Sequence, residues 1–512
     1  MTRLFVVFLY SVGLFFAASL CGQDQNLHGW PEKESLIEQQ PGLDHNRDVT
    51  VCFIKRLPEI DYVWGSTDPA RQGWPAEGEI VTWRAHIKSW FDHDLYDVPF
   101  QWYINGQPAG CGFVDVPAGS SATAELEWIW TFERHRIRFV IDPSGTLDEW
   151  TRQNNALAVF SDAIALGLYV EQGVYDYFHE YQPLLGIASN SWEEWAQRQV
   201  TRWNRMFQQS VYVPDAPQGV LDRIRIDEIH VVGDGALPLA GGLPTNNPNN
   251  NDRTVDLQWG FPATLIENPG HMYSHHTGVN DSNPFYIEPS LIHELGHARY
   301  LIDSYGFDTH NTAHHGGYDA VQIWEGGIYV GGSAYMPYLA WEEVLYYNRS
   351  GGVMSGPYGF RFSPYETMAL NLIAGHRAWK GNCNAPNNIG VYLQDLPENN
   401  HVRIMDGSGA PRINACVRIY NATSGPGWYG KTFDDLYDQE YFTDLEGYIH
   451  LPRNPFNPGK KIVHTYGKAN GVMILRIEHE AMIRYCFMEV SDFNMEYWRG
   501  HTDHGYYRLC IE

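Results

Sequence analysis

The chain has 512 residues, 44% hydrophobic and 19% charged, enough for about three domains at roughly 100 to 200 residues each. Its formal charge of -26, from 61 acidic against 35 basic residues with no long Lys/Arg run, argues against nucleic acid and anionic lipid surfaces as partners. The 18 Trp, 32 Tyr, 49 Gly and 29 Pro fit a strand- and loop-rich extracellular protein and exclude the collagenous and disordered classes.

At the N-terminus Arg3 precedes an almost wholly apolar run over residues 4–20, and Ala17, Ala18, Ser19 and Gly22 lead into the polar Gln23-Asp24-Gln25-Asn26. This is the pattern of a secretory signal over residues 1–22, which places the mature chain outside the cell or at its surface, with the periplasm also compatible. Retention of the run as a membrane anchor is the alternative, since it is just long enough; lipidation at Cys21 is disfavoured by the bulky Leu20 before it. Beyond the signal come Cys52, Cys111, Cys383, Cys416, Cys486 and Cys510, with no C-x-x-C spacing. Disulfides are their natural use in an oxidising compartment, and buried free thiols are the other reading.

Residues 48–160 read as antiparallel strands. Val81, Trp83, Ala85 and Ile87 alternate with Thr82, Arg84, His86 and Lys88; Phe100, Trp102 and Ile104 lead into an Asn105-Gly106 turn; Ala122, Ala124, Leu126 and Trp128 alternate with Thr123, Glu125 and Glu127. A period of two puts one face of each strand in a core. Ile137, Phe139 and Ile141 then run into Asp142-Pro143, and Glu149, Asn154 and Asn155 precede a last strand. That ending resembles the adhesion-type immunoglobulin-like modules found beside bacterial cell-surface enzymes, which implies a small β-sandwich.

From residue 161 the period changes. Ser191-Trp192-Glu193-Glu194 has capping-box spacing, and Trp192, Trp195, Ala196, Gln199, Trp203, Met206 and Phe207 keep helical spacing to about Gln208, a stripe that belongs in a core. Strands are predicted over Ile224–Val232 and 255–259. Between them, residues 246–252 read as a solvated Asn-rich turn, with a Ca2+ site of backbone and side-chain oxygens as the alternative. Helix and strand together predict an α+β domain over residues 161–380. Residues 381–401 read as a linker, and 402–512 returns to strand alternation. Its stretches 402–411, 415–420 and 443–449 resemble the transthyretin-like sandwich modules appended to secreted carboxypeptidases, which implies a fold and no chemistry. The fold class expected is multidomain, with a central α+β domain between two all-β sandwich domains.

One stretch carries chemistry: Ile292-His293-Glu294-Leu295-Gly296-His297-Ala298-Arg299-Tyr300-Leu301-Ile302-Asp303. On a helix His293 and His297 share one face a turn apart, the geometry that grips one tetrahedral Zn2+ ion. Glu294 stands beside them, placed to hold a water at the ion and take its proton, the general-base role in metal-assisted hydrolysis. Pro289 suits a first helical position, and Leu291, Ile292, Leu295 and Leu301 provide faces for docking into a core.

The string H-E-L-G-H followed by Leu301, Asp303 and Tyr305 resembles the metzincin zinc peptidases, and among them the immune-inhibitor-A type of secreted bacterial metallopeptidase. Asp303 follows His297 by six residues, where that clan places its third ligand. The resemblance implies zinc held by His293, His297 and Asp303, with Glu294 as catalytic base. Further on, Gly352-Val353-Met354-Ser355-Gly356-Pro357-Tyr358 resembles the turn whose Met floors the metal in that clan; this assigns Met354 to the floor and offers Tyr358 as an extra ligand or oxyanion stabiliser. A helix capped by Ser363, Pro364 and Glu366 follows.

One residue departs from the pattern. Metzincins have Gly where this chain has Tyr300, and that Gly lets the helix stop so that the third ligand turns back to the metal. Were the helix to run on to a cap at Gly306, Asp303 would stand about 9 Å beyond His297 along the axis, and the third ligand would come from Asp308, His310, His314, His315, Glu342 or Glu343. No G-x-S-x-G elbow, P-loop, dinucleotide fingerprint or EF-hand loop occurs. The expected function is a secreted zinc-dependent endopeptidase acting on peptide bonds of extracellular proteins. The alternative, which Tyr300 favours, is a catalytically silent surface adhesion or scaffold protein. The expected partner is a protein or peptide substrate, with no nucleic acid and no membrane span in the mature chain.

Overall fold

Alternating strands in the first third close on a common core. β1 (Val49–Leu57), β2 (Ile80–Ser89) and β5 (Ser121–Ile129) form one antiparallel sheet in the order β1-β2-β5; β3 (Leu95–Ile104), β4 (Gln107–Val116), β6 (Arg136–Ile141) and β7 (Ala156–Phe160) form a second, ordered β4-β3-β6-β7. Trp83, Trp102, Ile137 and Phe139 are fully buried in one cluster fed by both sheets, as two inner faces of a sandwich require. The turn between β3 and β4 has Asn105 at φ 51° and Gly106 at φ 82°, the pair of left-handed residues that an Asn-Gly hairpin supplies. This computed structural model describes residues 47–59, 74–185, 191–237, 254–261, 263, 289–307, 321–324, 327–330, 343–345, 352–355, 361–375, 389–424, 431–432, 436–459, 461–462, 464–465 and 468–511. The signal segment 1–22 and Cys383 lie outside them.

The middle of the chain is built on a parallel sheet. β8 (Ile164–Glu171) lies between β10 (Leu257–Phe261) and β9 (Ile224–Val232), parallel to both. Its nearly continuous burial is what a central parallel strand covered on both faces shows. Two helices connect β8 to β9: α1 (Gln172–Leu185), which the sequence reading did not anticipate, and α2 (Trp192–Gln209). The tryptophans of α2 are buried core, as expected. Its capping box forms by half: Ser191 Oγ accepts from the Glu194 N–H at 3.1 Å, while the Glu194 carboxylate takes bonds from Asn154 and Arg198. Cys52 and Phe53 of β1 join this core, and the buried Arg225 of β9 pairs with Asp227 and sits over the Trp83 ring. First sandwich and centre are therefore packed together.

Further on come α3 (Pro289–Ala298), a three-stranded antiparallel sheet of β11 (Val321–Trp324), β12 (Gly327–Val330) and β13 (Glu343–Leu345), and α4 (Pro364–Asn371). The last part is a second sandwich. β14 (Asn399–Met405) lies between β17 (Tyr448–Pro452) and β20 (His504–Cys510); β15 (Cys416–Asn421) and β18 (Val472–His479) are flanked by β16 (Gln439–Phe442) and β19 (Met482–Glu489). Val402, Ile404 and Ile449 of one sheet meet Val417, Ile419 and Ile474 of the other. The chain is thus multidomain and mostly β.

Three expectations are corrected. Residues 389–401, read as linker, instead carry a 3-10 turn at Val391–Gln394 with Tyr392, Leu393 and Leu396 buried in the C-terminal core, and Asn399 already begins β14. Val490–Trp498, read within a run of strands, is a helix, α5, whose Trp498 stacks on Tyr365 at 5.6 Å. The disulfide expectation fails for the described residues: Cys52, Cys111, Cys416, Cys486 and Cys510 are free thiols. Cys416 pairs across β18 with Glu478 and Cys486 with Leu475; those partners are three residues apart, so the two thiols point to opposite faces of the sheet and cannot bridge.

Candidate metal centre

α3 presents His293, Glu294 and His297 and then stops sharply. The Leu301 N–H donates to the Gly296 carbonyl at 3.1 Å and the Tyr300 N–H to the His297 carbonyl at 3.0 Å, the paired bonds that close a helix on a left-handed residue. Tyr300 is that residue, at φ 69°. Such a conformation costs a residue with a side chain about 1–2 kcal/mol. Burial offsets it: the Tyr300 ring is 1% exposed, inside the C-terminal core, where a glycine would bury nothing. The turn is also gripped from outside, with the Gly390 N–H donating to the Tyr300 carbonyl at 2.9 Å and the Ile302 N–H to Tyr392 Oη at 3.0 Å. The helix does not run on to Gly306; Ser304–Phe307 is a separate 3-10 turn.

Because the chain turns back, Asp303 reaches both histidines. Its Oδ1 lies 3.0 Å from His293 Nε2 and 3.2 Å from His297 Nε2. His293 Nδ1 donates to the Val353 carbonyl and His297 Nδ1 to the Leu301 carbonyl, each at 2.8 Å. A carbonyl only accepts, so Nδ1 carries the hydrogen in both rings and Nε2 is the ligating nitrogen of the neutral form. Glu294, half-buried, brings a carboxylate oxygen within 4.8 Å of one ring nitrogen of each imidazole.

Burial alone would push the His297 imidazolium down, but the Asp303 carboxylate outweighs it and holds the pKa up at about 9. Against the same burial, His297 and His293 hold the Asp303 carboxyl well below the usual carboxylate range. A divalent cation is the natural replacement for the proton that joins them. Two imidazole Nε2 atoms, each fixed from behind by a carbonyl, and one carboxylate oxygen make a donor set that fits zinc.

Met354 packs against Gly296 of α3. It sits in a 3-10 turn, Val353–Ser355, fully buried, and the same turn supplies the carbonyl that orients His293. A buried carboxylate fastens the pieces together. Glu366 Oε1 accepts from Ser304 Oγ at 2.9 Å and from the Met354 N–H at 3.2 Å, while Oε2 accepts from the Ser363 N–H at 2.8 Å. One side chain on α4 thus anchors both the Met354 turn and the residue next to Asp303. Sequence reading recognised Glu366 only as the far half of a capping box, which does form; no local spacing signals its two long-range bonds. Behind α3, Arg299 pairs with Asp222 at 2.7 Å.

The structure therefore brings together His293, Glu294, His297, Asp303 and Met354. Tyr305 stacks parallel to His293, ring centres 6.4 Å apart. Tyr358, Asp308, His310, His314, His315, Glu342 and the Asn-rich loop 246–252 lie outside the described residues; Glu343 falls in β13, paired with Ile323.

No known sequence family matches the chain, and no curated protein does. Among solved structures it is similar to the CARDB domain of a Pyrococcus furiosus protein. The crystal structure of that domain, in complex with di-metal ions, is 20% identical over 22% of this chain and 85% of that one, with a TM-score of 0.18. The solution structure is 19% identical over 22% and 91%, also at 0.18.

Proposed function

We propose that the chain is a secreted zinc-dependent endopeptidase of metzincin type, with a central α+β domain that holds the reaction between two β-sandwiches. The observation that carries this reading is the return of Asp303 to His293 and His297 behind the left-handed Tyr300, with Glu294 beside them. Bound there, zinc would supply Lewis-acid polarisation of the scissile carbonyl and acidify the attacking water. His293 and His297 would hold it through Nε2, and Asp303 would add the negative charge that two neutral imidazoles lack. Glu294 takes the proton of the attacking water and passes it to the leaving amine. The signal-type N-terminus supports export, and among the described residues no helix is long and apolar enough to cross a membrane.

Glu294→Gln tests the reading. Cleavage of denatured casein should be lost while one zinc per chain is retained, because the amide cannot accept the proton and the metal donors are untouched. A chelator should abolish wild-type cleavage and added zinc restore it; unchanged turnover in the variant would rule the mechanism out. The silent-scaffold reading predicts bound zinc and no cleavage. Tyr300, the feature that favoured it, takes the backbone conformation of the glycine it replaces and no longer argues for silence.

A further inference from the structure

The C-terminal sandwich carries a separate cluster of metal-type donors. His401 on β14 is paired directly across the ladder with His450 on β17, and on the other side with Tyr506 of β20, two residues along from His504. This register puts all three imidazoles on one face of the sheet, and the burial of Asn400, Val402, Ile449 and Leu451 makes it the outer face. His450 and His504 are exposed, His401 half-buried. His401 Nδ1 lies 2.7 Å from His450 Nδ1, and His401 Nε2 lies 2.9 Å from His504 Nδ1. On the far side, His450 Nε2 is 3.6 Å from Asp444 Oδ2.

A neutral imidazole has one N–H and one lone pair. With its hydrogen on Nε2, the nitrogen that faces the Asp444 carboxylate at 3.6 Å, His450 has its lone pair at Nδ1. When the His401 hydrogen is on Nε2, the nitrogen 2.9 Å from His504 Nδ1, the His401 lone pair lies at its own Nδ1. Nδ1 of His401 and Nδ1 of His450 stand 2.7 Å apart on the exposed face, so the place between them takes one hydrogen or, in its stead, one cation.

We infer that His401 and His450 form a solvent-open site for a divalent transition-metal ion of the copper, nickel or zinc type, bound through the two Nδ1 atoms, with Asp444 and His504 holding the rings from behind. Metal–nitrogen distances of about 2.0–2.1 Å spread the two nitrogens to about 3 Å, a small rotation for exposed rings. Water completes the shell. Copper(II) binds most tightly in this series and is the probe of choice.

The experiment counts copper ions bound per full-length chain by equilibrium dialysis, in wild type, His450→Ala, His401→Gln and His504→Ala. The centre on α3 is intact in all four, so differences report the sandwich site alone. Wild type should bind one ion more than His450→Ala or His401→Gln, with unchanged circular dichroism. His504→Ala should keep that ion, bound about 10-fold more weakly, as expected for loss of an orienting partner. Equal copper counts in wild type and His450→Ala overturn the proposal. Loss of the ion in His504→Ala with retention in His450→Ala overturns it too, because the metal would then lie on the other side of His401.

Discussion

Gly296 and Met354 are in contact so close that a Cβ added to the glycine would stand 2.7 Å from the methionine sulfur. The helix that carries the two histidines thus meets the Met354 side chain with no space for a methyl group unless that side chain shifts. Gly296→Ala should therefore lower stability by about 1–3 kcal/mol through overpacking, even though alanine is the better helix former by about 1 kcal/mol. Denaturant melting measures it. A variant as stable as wild type would mean that the Met354 turn yields freely.

Asp303→Ala removes the oxygen that both imidazoles approach. Zinc affinity should fall by orders of magnitude and hydrolysis disappear, because two imidazoles alone hold the ion weakly. A competitive zinc titration of the variant against wild type decides it, and near-native affinity would move the third ligand to another part of the chain.

How far the centre could be read from sequence depends on the range of each signal. The helical spacing of His293 and His297 and the Ser363/Glu366 cap are local, and both appear where expected. Tyr300 was not legible: its steric penalty is local, whereas the burial that offsets it comes from a core assembled mostly by residues from 365 onward. Nor was Tyr392. It sits near an Asn- and Pro-rich stretch that reads as a linker, and its hydroxyl meets the Ile302 N–H, a contact with no sequence signature. α5 escaped because Val490 to Trp498 follows directly on β19 without a side-chain cap. The cysteines misled for another reason, since composition and compartment suggest bridges while only strand register shows that Cys416 and Cys486 point apart.

Glu149 gives the first sandwich a pH dependence. Its side chain is fully buried and its Oε1 accepts from Asn155 Nδ2 at 2.7 Å. Burial is the largest influence and, with nearby Asp142, outweighs that bond to raise the carboxyl to about 7. A folded-state pKa above the ordinary value of 4.5 means that the native state binds this proton more tightly. The sign is then set: the contribution to stability is fully present below about 4.5 and is lost as pH rises through about 7. Glu149→Gln keeps the acceptor and removes the ionisation. It should leave stability near pH 4.5 little changed and raise it at pH 8 by on the order of 1–3 kcal/mol. Thermal melting of both proteins at the two pH values checks this, and a pH-independent difference would refute it.

The last prediction separates the two tasks of Tyr300, stopping the helix and filling the C-terminal core. Tyr300→Gly keeps the first, since glycine adopts φ near 69° without steric cost. It loses the second, and removal of a large buried aromatic costs about 3–5 kcal/mol, offset by the roughly 1–2 kcal/mol of relieved backbone strain. The variant should melt lower yet bind zinc almost as tightly as wild type, because Asp303 still turns back. Tyr300→Val loses both tasks: a β-branched residue resists the left-handed conformation, the Leu301-to-Gly296 bond that closes the helix is disfavoured, and Asp303 is carried away from the histidines. Zinc titration alongside melting distinguishes the outcomes. If the glycine variant lost zinc as completely as the valine variant, the core packing of the ring, and not the left-handed stop, would be what places Asp303.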